Sequence, residues 1–318
     1  MIEVLHKAAE AVLTLFAMGL LGYILAKRNW FGPESRTLIP RLVTVIALPP
    51  YLFANIMHTF DRDQLGSLIY GVIVPAISIA SVFMISLILA RLLKIKHGRR
   101  GLFVVGCTAS NTMFIGLPVN ITLFGPEALP YVLLYFFANT TFFWTAGNYC
   151  LNLDGPREPE PILSPATLKR LFSPPLLGFF LGLLLVVTEL HPPAFVMNAA
   201  DYVGSLTTPL AIIFIGLTLS TVSFKSFHLD RDVAAVLAGR FILSPLIIII
   251  LTGLFELPPL MAKVFIIQSS LPIVTSAVLL AGYHQADTAF ASVTVSLSTL
   301  MAVGTIPFYM IVISLMNF

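Results

Sequence analysis

Ten times along this chain a run of mostly apolar residues ends in charged or Gly/Pro-rich punctuation. A hydrocarbon layer about 30 Å thick is crossed by about 20 residues of helix, so each run is long enough to span a bilayer. The runs fall near 8–26, 38–58, 66–92, 101–123, 129–151, 174–190, 195–222, 233–254, 259–282 and 287–316. Composition agrees with this reading. Of 318 residues 58% are hydrophobic and 10% charged, with a mean hydropathy of +0.95. A soluble domain carries roughly 25% charged residues to solvate its surface. Twenty-two prolines and 25 phenylalanines suit helical spans with built-in breaks better than the alternating strands of a barrel. The expected fold class is an all-α integral membrane protein with ten transmembrane helices.

Several function classes drop out. The net charge is only +3, with no basic tract interleaved with aromatics, so nucleic acid is not an expected partner. Cys107 and Cys150 both sit inside apolar runs and read as buried free thiols rather than a disulfide framework. The first run is followed by Lys27 and Arg28 instead of a small-residue cleavage site, which reads as a retained span. The six histidines fall at span ends or in loops without metal spacing, and no Gly-rich phosphate loop occurs. No metal or cofactor is expected.

The basic residues give an orientation. One side of the ten-span arrangement collects 14 of the 18, including Lys94, Lys96, Arg99, Arg100, Lys169 and Arg170. The other side holds Lys7, Arg62 and Lys263, and Arg240 lies within the eighth run. By the positive-inside rule the heavy side is cytoplasmic, with both termini outside the cell (inner) membrane. The longest polar stretch divides the chain into a first five-helix unit (1–151), a cytoplasmic linker (152–173) and a second five-helix unit (174–318). Within the linker, 162–172 reads as a short amphipathic helix. An odd number of spans per half places the halves in opposite orientation, so repeats here would be inverted repeats.

Breakers recur at matching places in the two halves. The fourth run carries Ser110, Asn111 and Thr112 ahead of Gly116 and Pro118. The ninth carries Gln268, Ser269 and Ser270 ahead of Pro272 and Ser276. A proline inside a helix frees a backbone carbonyl, and in hydrocarbon such groups are tolerated only where protein or a water-filled cavity satisfies them. Two broken spans meeting inside the bilayer would present half-helix N-termini, whose amides and positive dipole ends attract an anion. The hydroxyls and amides of those clusters would add neutral donors, with Asn139, Thr140 and Thr141 of span five and Ser296, Ser298 and Thr299 of span ten as walls. The competing reading has each Ser or Thr bonded back to its own helix.

The run Ser110–Pro118, the Pro209-Leu210-Ala211 segment leading to Gly216-Leu217, the Leu271-Pro272 break and Leu297-Ser298-Thr299-Leu300 together resemble the auxin efflux carrier family from end to end. The resemblance implies two inverted five-helix repeats with broken fourth and ninth helices crossing at the midplane. It carries Asn111 with Pro118, and Pro272 with its neighbours, to the crossover and substrate site. It also implies a homodimer. Plant auxin carriers have a long hydrophilic loop between their halves. The short linker here is more similar to the bacterial branch, associated with malate, malonate and related carboxylates.

Of the ionisable groups inside runs, Arg240 lies well within the eighth. An arginine at a helix centre costs about 2.5–3.5 kcal/mol on insertion scales, so it faces protein or water. It is a candidate bidentate partner for a substrate carboxylate, or else pairs with a freed carbonyl or snorkels to the cytoplasmic face. Glu10 and Asp201, near the starts of spans one and seven, are candidate coupling-ion sites. The expected function is a secondary active transporter of small organic anions working by alternating access, driven by a proton or sodium gradient. A sodium-coupled symporter of the bile-acid type is the alternative. An intramembrane enzyme or an anion receptor is more remote, since the polar clusters hold no His, Lys or carboxylate.

Overall fold

A computed structural model describes residues 17–32, 34–60, 62, 71–156, 161–162, 173–220 and 229–316, without the side chain of Arg36. Glu10 and the 163–172 part of the expected surface helix lie outside these. Among the described residues the structure is helical apart from one isolated β-bridge. In chain order the helices are α1 (Ala17–Lys27), α2 (35–59), α3 (Ile73–Leu92), α4 (Arg100–Thr108), α5 (Thr112–Phe124) and α6 (129–153). They continue with α7 (Pro174–Val187), α8 (Ala194–Ser220, with a turn at 205–206), α9 (Arg231–Leu254), α10 (Pro259–Ser269), α11 (Ser276–Tyr283) and α12 (Thr288–Leu315). Most of α2 (Thr37–Thr59), and α3, α8, α9 and α12, are long and apolar enough to cross a membrane.

Several prolines here lie within helices rather than ending them. Pro49 and Pro50, Pro118 and Pro245 each follow a stretch of wide π-helical turns, at Leu42–Ala47, Thr112–Gly116 and Gly239–Leu243. A proline ring clashes with the carbonyl four residues back and offers no N–H. Opening the preceding turn moves that carbonyl aside. Pro118 therefore sits inside α5, and the true interruption comes earlier, at 109–111, where Ala109 is extended and Asn111 leaves helical geometry. In the ninth run Pro272 does lie in the interruption between α10 and α11.

The two interruptions pair with each other. Ser110 and Ile273 form an antiparallel bridge, with Asn111 N–H donating to Pro272 O at 2.9 Å and Val274 N–H to Ala109 O at 3.2 Å. Helices on either side supply the remaining partners. The Asn139 amide of α6 clasps Ser110 from both ends, accepting from its N–H at 2.9 Å and donating to its carbonyl at 3.0 Å. Ser298 of α12 accepts from Ile273 N–H at 3.1 Å. Buried backbone groups away from water require such partners, and each element at the crossing supplies one.

Tight seams surround this core. In α7, a Cβ on Gly178 would run into the backbone of Pro49 in α2, so the absent side chain is what lets the two helices touch. At one end of the bundle, Arg99 ahead of α4 binds Asp230 and Asp287, each at 2.6 Å. Those two carboxylates cap α9 through Val233 N–H and α12 through Phe290 N–H. Asp154, after α6, caps α4 through Gly101 and Leu102 N–H. Four helix ends are thus knotted by charge and capping.

Three measurements check this packing. Asn139→Ala strands two buried groups of Ser110 and Ser298→Ala strands one, at about 1–3 kcal/mol each. The first should therefore lower the melting temperature more than the second, and equal losses would contradict the clasp. Gly178→Leu should abolish a monodisperse folded peak on size exclusion, whereas Gly253→Leu, which meets nothing within 4 Å, should leave it intact. Burial raises the Asp230 carboxyl, but Val233 N–H, Arg99 and Lys96 outweigh it and hold it below its usual range. A carboxylate held low in the fold stabilises above its unfolded pKa of about 3.9, and that contribution disappears as pH falls through the lower folded value. Asp230→Asn should melt earlier than wild type at pH 7, with the gap closing below about pH 3.

Candidate functional site

Beside the paired interruptions lies a cleft of about 280 Å³. Its floor is the start of α5 and the segment leading into α11, with Asn111, Thr112, Met113 and Phe114 on one side and Val274, Thr275 and Ser276 on the other. Thr44 and Leu48 of α2, Asn139, Thr140 and the aromatics Phe136, Phe143 and Trp144 of α6, and Ser173–Pro175 at the start of α7 close the walls. No charged side chain lines it among the described residues.

The chemistry lies in the main chain. Both α5 and α11 begin at the cleft, and the first amides of a helix have no carbonyl four residues back to bind. The bond from Asn111 N–H goes across to Pro272, and Ile115 and Gly116 N–H turn back to Asn111 O. That leaves the N–H groups of Thr112, Met113 and Phe114 without an acceptor among the described residues. At the other end Ala277 and Val278 N–H turn back to Val274 and Thr275, while Thr275 and Ser276 N–H have none. The side chains of Asn111, Thr112, Thr275 and Ser276 likewise make no hydrogen bond to the described protein. Five main-chain donors and four polar side chains thus border one space, at two helix ends of positive partial charge.

The residues expected from the sequence divide into groups. Ser110, Asn111, Thr112, Asn139 and Ser276 line the cleft, although the Asn139 amide is already engaged with Ser110. Gln268, Ser269 and Ser270 are fully buried away from it. The two serine hydroxyls bond back to Ile266 and Ile267 carbonyls, the alternative recognised from the sequence. Gly116 faces the side-chain ends of Gln268 and Leu271, which a Cβ there would have to displace. Pro272 lends its carbonyl to the crossing, and Pro118 sits within α5. Arg240 is fully buried outside the cleft, donating to Ser244 Oγ at 2.8 Å and to the Ser269 carbonyl. Asp201 is 46% exposed at a helix surface, 3.2 Å from His58, and is not part of the cleft.

Sequence reasoning passed over Thr44, Thr275 and the aromatic wall. Thr44 had a legible signal, a lone hydroxyl residue in an apolar run just ahead of Pro49-Pro50. Phe136, Phe143 and Trp144 had none, because aromatics abound along these spans.

The profile of the family described as "Membrane transport protein" matches residues 7–310. An "Uncharacterized transporter" of Methanothermobacter thermautotrophicus is 26% identical over 306 residues, covering 96% of this chain and 98% of that protein. A "Putative malonate transporter" of Rhizobium meliloti is 22% identical over 313 residues, covering 93% and 92%. The mouse "Lysosomal cholesterol signaling protein" is 23% identical over 223 residues, or 66% of this chain and 25% of that protein. Family and relatives are described as transporters rather than enzymes in the cases that span the whole chain, and the apolar helices make this a multi-pass membrane protein. The chain belongs to the membrane transport protein family, whose members resemble the auxin efflux carriers.

Proposed function

We propose that this protein is a secondary active carrier of small carboxylates such as malonate or malate. The observation that carries the reading is the set of unpartnered amides at two helix N-termini facing one cleft without charged side chains. Neutral donors hold a carboxylate while leaving it free to depart, which a carrier requires and a permanent binder does not. The apolar and aromatic walls exclude water and favour short organic acids over hydrated inorganic ions. The "Putative malonate transporter" among the relatives agrees with that cargo.

Counting α4 with α5 and α10 with α11 as single interrupted spans gives ten spans. They divide into inverted repeats at 1–151 and 174–318 about the linker 152–173. Supporting the repeat, α6 serves the first interruption through Asn139 as α12 serves the second through Ser298. The knot around Arg99 then lies on the cytoplasmic face of the inner membrane, and both termini lie outside. Alternating access would rock one helical group against the other around the crossing, driven by a proton or sodium gradient. Asp201 and Glu10 remain our candidates for reading that gradient, and we place the working unit as a homodimer.

Counterflow of labelled malonate in proteoliposomes tests the reading, with and without sodium and an imposed pH step. Trans-stimulated exchange is expected. Asn111→Ala and Thr112→Ala should each cut it about tenfold or more at unchanged protein abundance. Binding without exchange would point to a receptor, and full exchange in both variants would remove these residues from the site.

A further inference from the structure

Four helix ends meet at the crossing, and only two of them favour an anion. The starts of α5 and α11 are positive. The ends of α4 and α10 carry the opposite partial charge, as each is left with carbonyls that no longer have a helical partner. All four ends adjoin the crossing beside which the cleft lies. Without a correction, the pull of one pair is opposed by the push of the other.

Arg240 stands at one of the unfavourable ends. It projects from the wide turn of α9, is 0% exposed, and donates to the carbonyl of Ser269, the last residue of α10. Ser244 Oγ, one turn along α9, holds the same nitrogen at 2.8 Å. No carboxylate pairs with the guanidinium among the described residues. Its polar neighbours are the Tyr135 and Tyr309 hydroxyls and the Cys107 thiol, and Nε and Nη1 reach no acceptor. A full positive charge is thus buried against a helix end worth about half a negative one. The surplus is not cancelled locally, and low-dielectric surroundings screen it weakly. Ser110 joins the two regions, since it lines the cleft and also neighbours Tyr135.

We infer that Arg240 is a positioning charge that makes the cleft selective for anions from behind the crossing, without touching the cargo. The inference deepens the anion-carrier reading and rests on it for the identity of the cargo, but not for the field itself. A charge placed this way raises the attraction for an anion and adds no direct bond that must break on release. It also makes the two halves electrically unequal, because no arginine or lysine side chain is hydrogen-bonded to the end of α4 among the described residues.

The field can be read with no cargo present. In a Cys107→Ala, Cys150→Ala background, Thr275→Cys places a thiol in the cleft. Its reaction rates with an anionic methanethiosulfonate (the ethylsulfonate) and a cationic one (the ethyltrimethylammonium) form a ratio, referenced to free cysteine. Arg240→Gln should shift that ratio about tenfold toward the cationic reagent, and Arg240→Lys should keep it within about twofold. Arg240→Met carries the same test at similar length should the Gln variant fail to fold. An unmoved ratio in the uncharged variants overturns the inference. A shifted ratio with no malonate counterflow in wild type would sink the cargo and leave the charge role standing. Counterflow with an unmoved ratio would do the reverse.

Discussion

Two short pieces of extended chain, one from each half, satisfy one another's backbone in the interior. That pairing of Ala109–Asn111 with Pro272–Val274 is the constraint from which the rest follows. An interrupted helix in an apolar surrounding exposes amides and carbonyls that lipid cannot satisfy. Here each interruption is the other's partner, and Asn139 and Ser298 serve the positions that remain. The close seams serve the same end. Gly178 lets α7 lie against the Pro49 backbone of α2.

On the proposed reading, the crossing also creates the anion site. The two helices that restart at the crossing both begin at the cleft, and no charged side chain lines it among the described residues. The polar residues divide the work accordingly. Asn139 and Ser298 hold the chain in its broken shape, whereas Asn111, Thr112, Thr275 and Ser276 keep their side chains unengaged at the cleft. Arg240 belongs to neither group, since it answers the carbonyl end of α10 that the break leaves behind.

Much of this was legible before any coordinates. Polar clusters beside prolines in the fourth and ninth runs marked where helices would break, because such residues in apolar spans demand an internal partner. Less legible was which residues of a cluster face which way. Ser269 and Ser270 look as available as Thr275 and Ser276 in sequence, yet the first pair ends a helix and bonds backward, while the second begins one. Pro118 drew attention as a breaker, but a wide turn ahead of it absorbs the steric conflict and the helix continues. Arg240 reads in sequence as a cargo ligand, a partner for a freed carbonyl or a residue snorkelling to the cytoplasmic face, and the fold around Ser269 shows the second. The aromatic wall of α6 could not be singled out from sequence, since nothing local distinguishes it from phenylalanines that face lipid.

The most direct test is a cryo-EM structure of the full chain with malonate bound in lipid nanodiscs. The account predicts carboxylate density within hydrogen-bond reach of the Thr112–Phe114 and Thr275–Ser276 amides, with the two interruptions still paired. Density bound elsewhere, or the fourth and ninth spans running as continuous helices apart from each other, would contradict it.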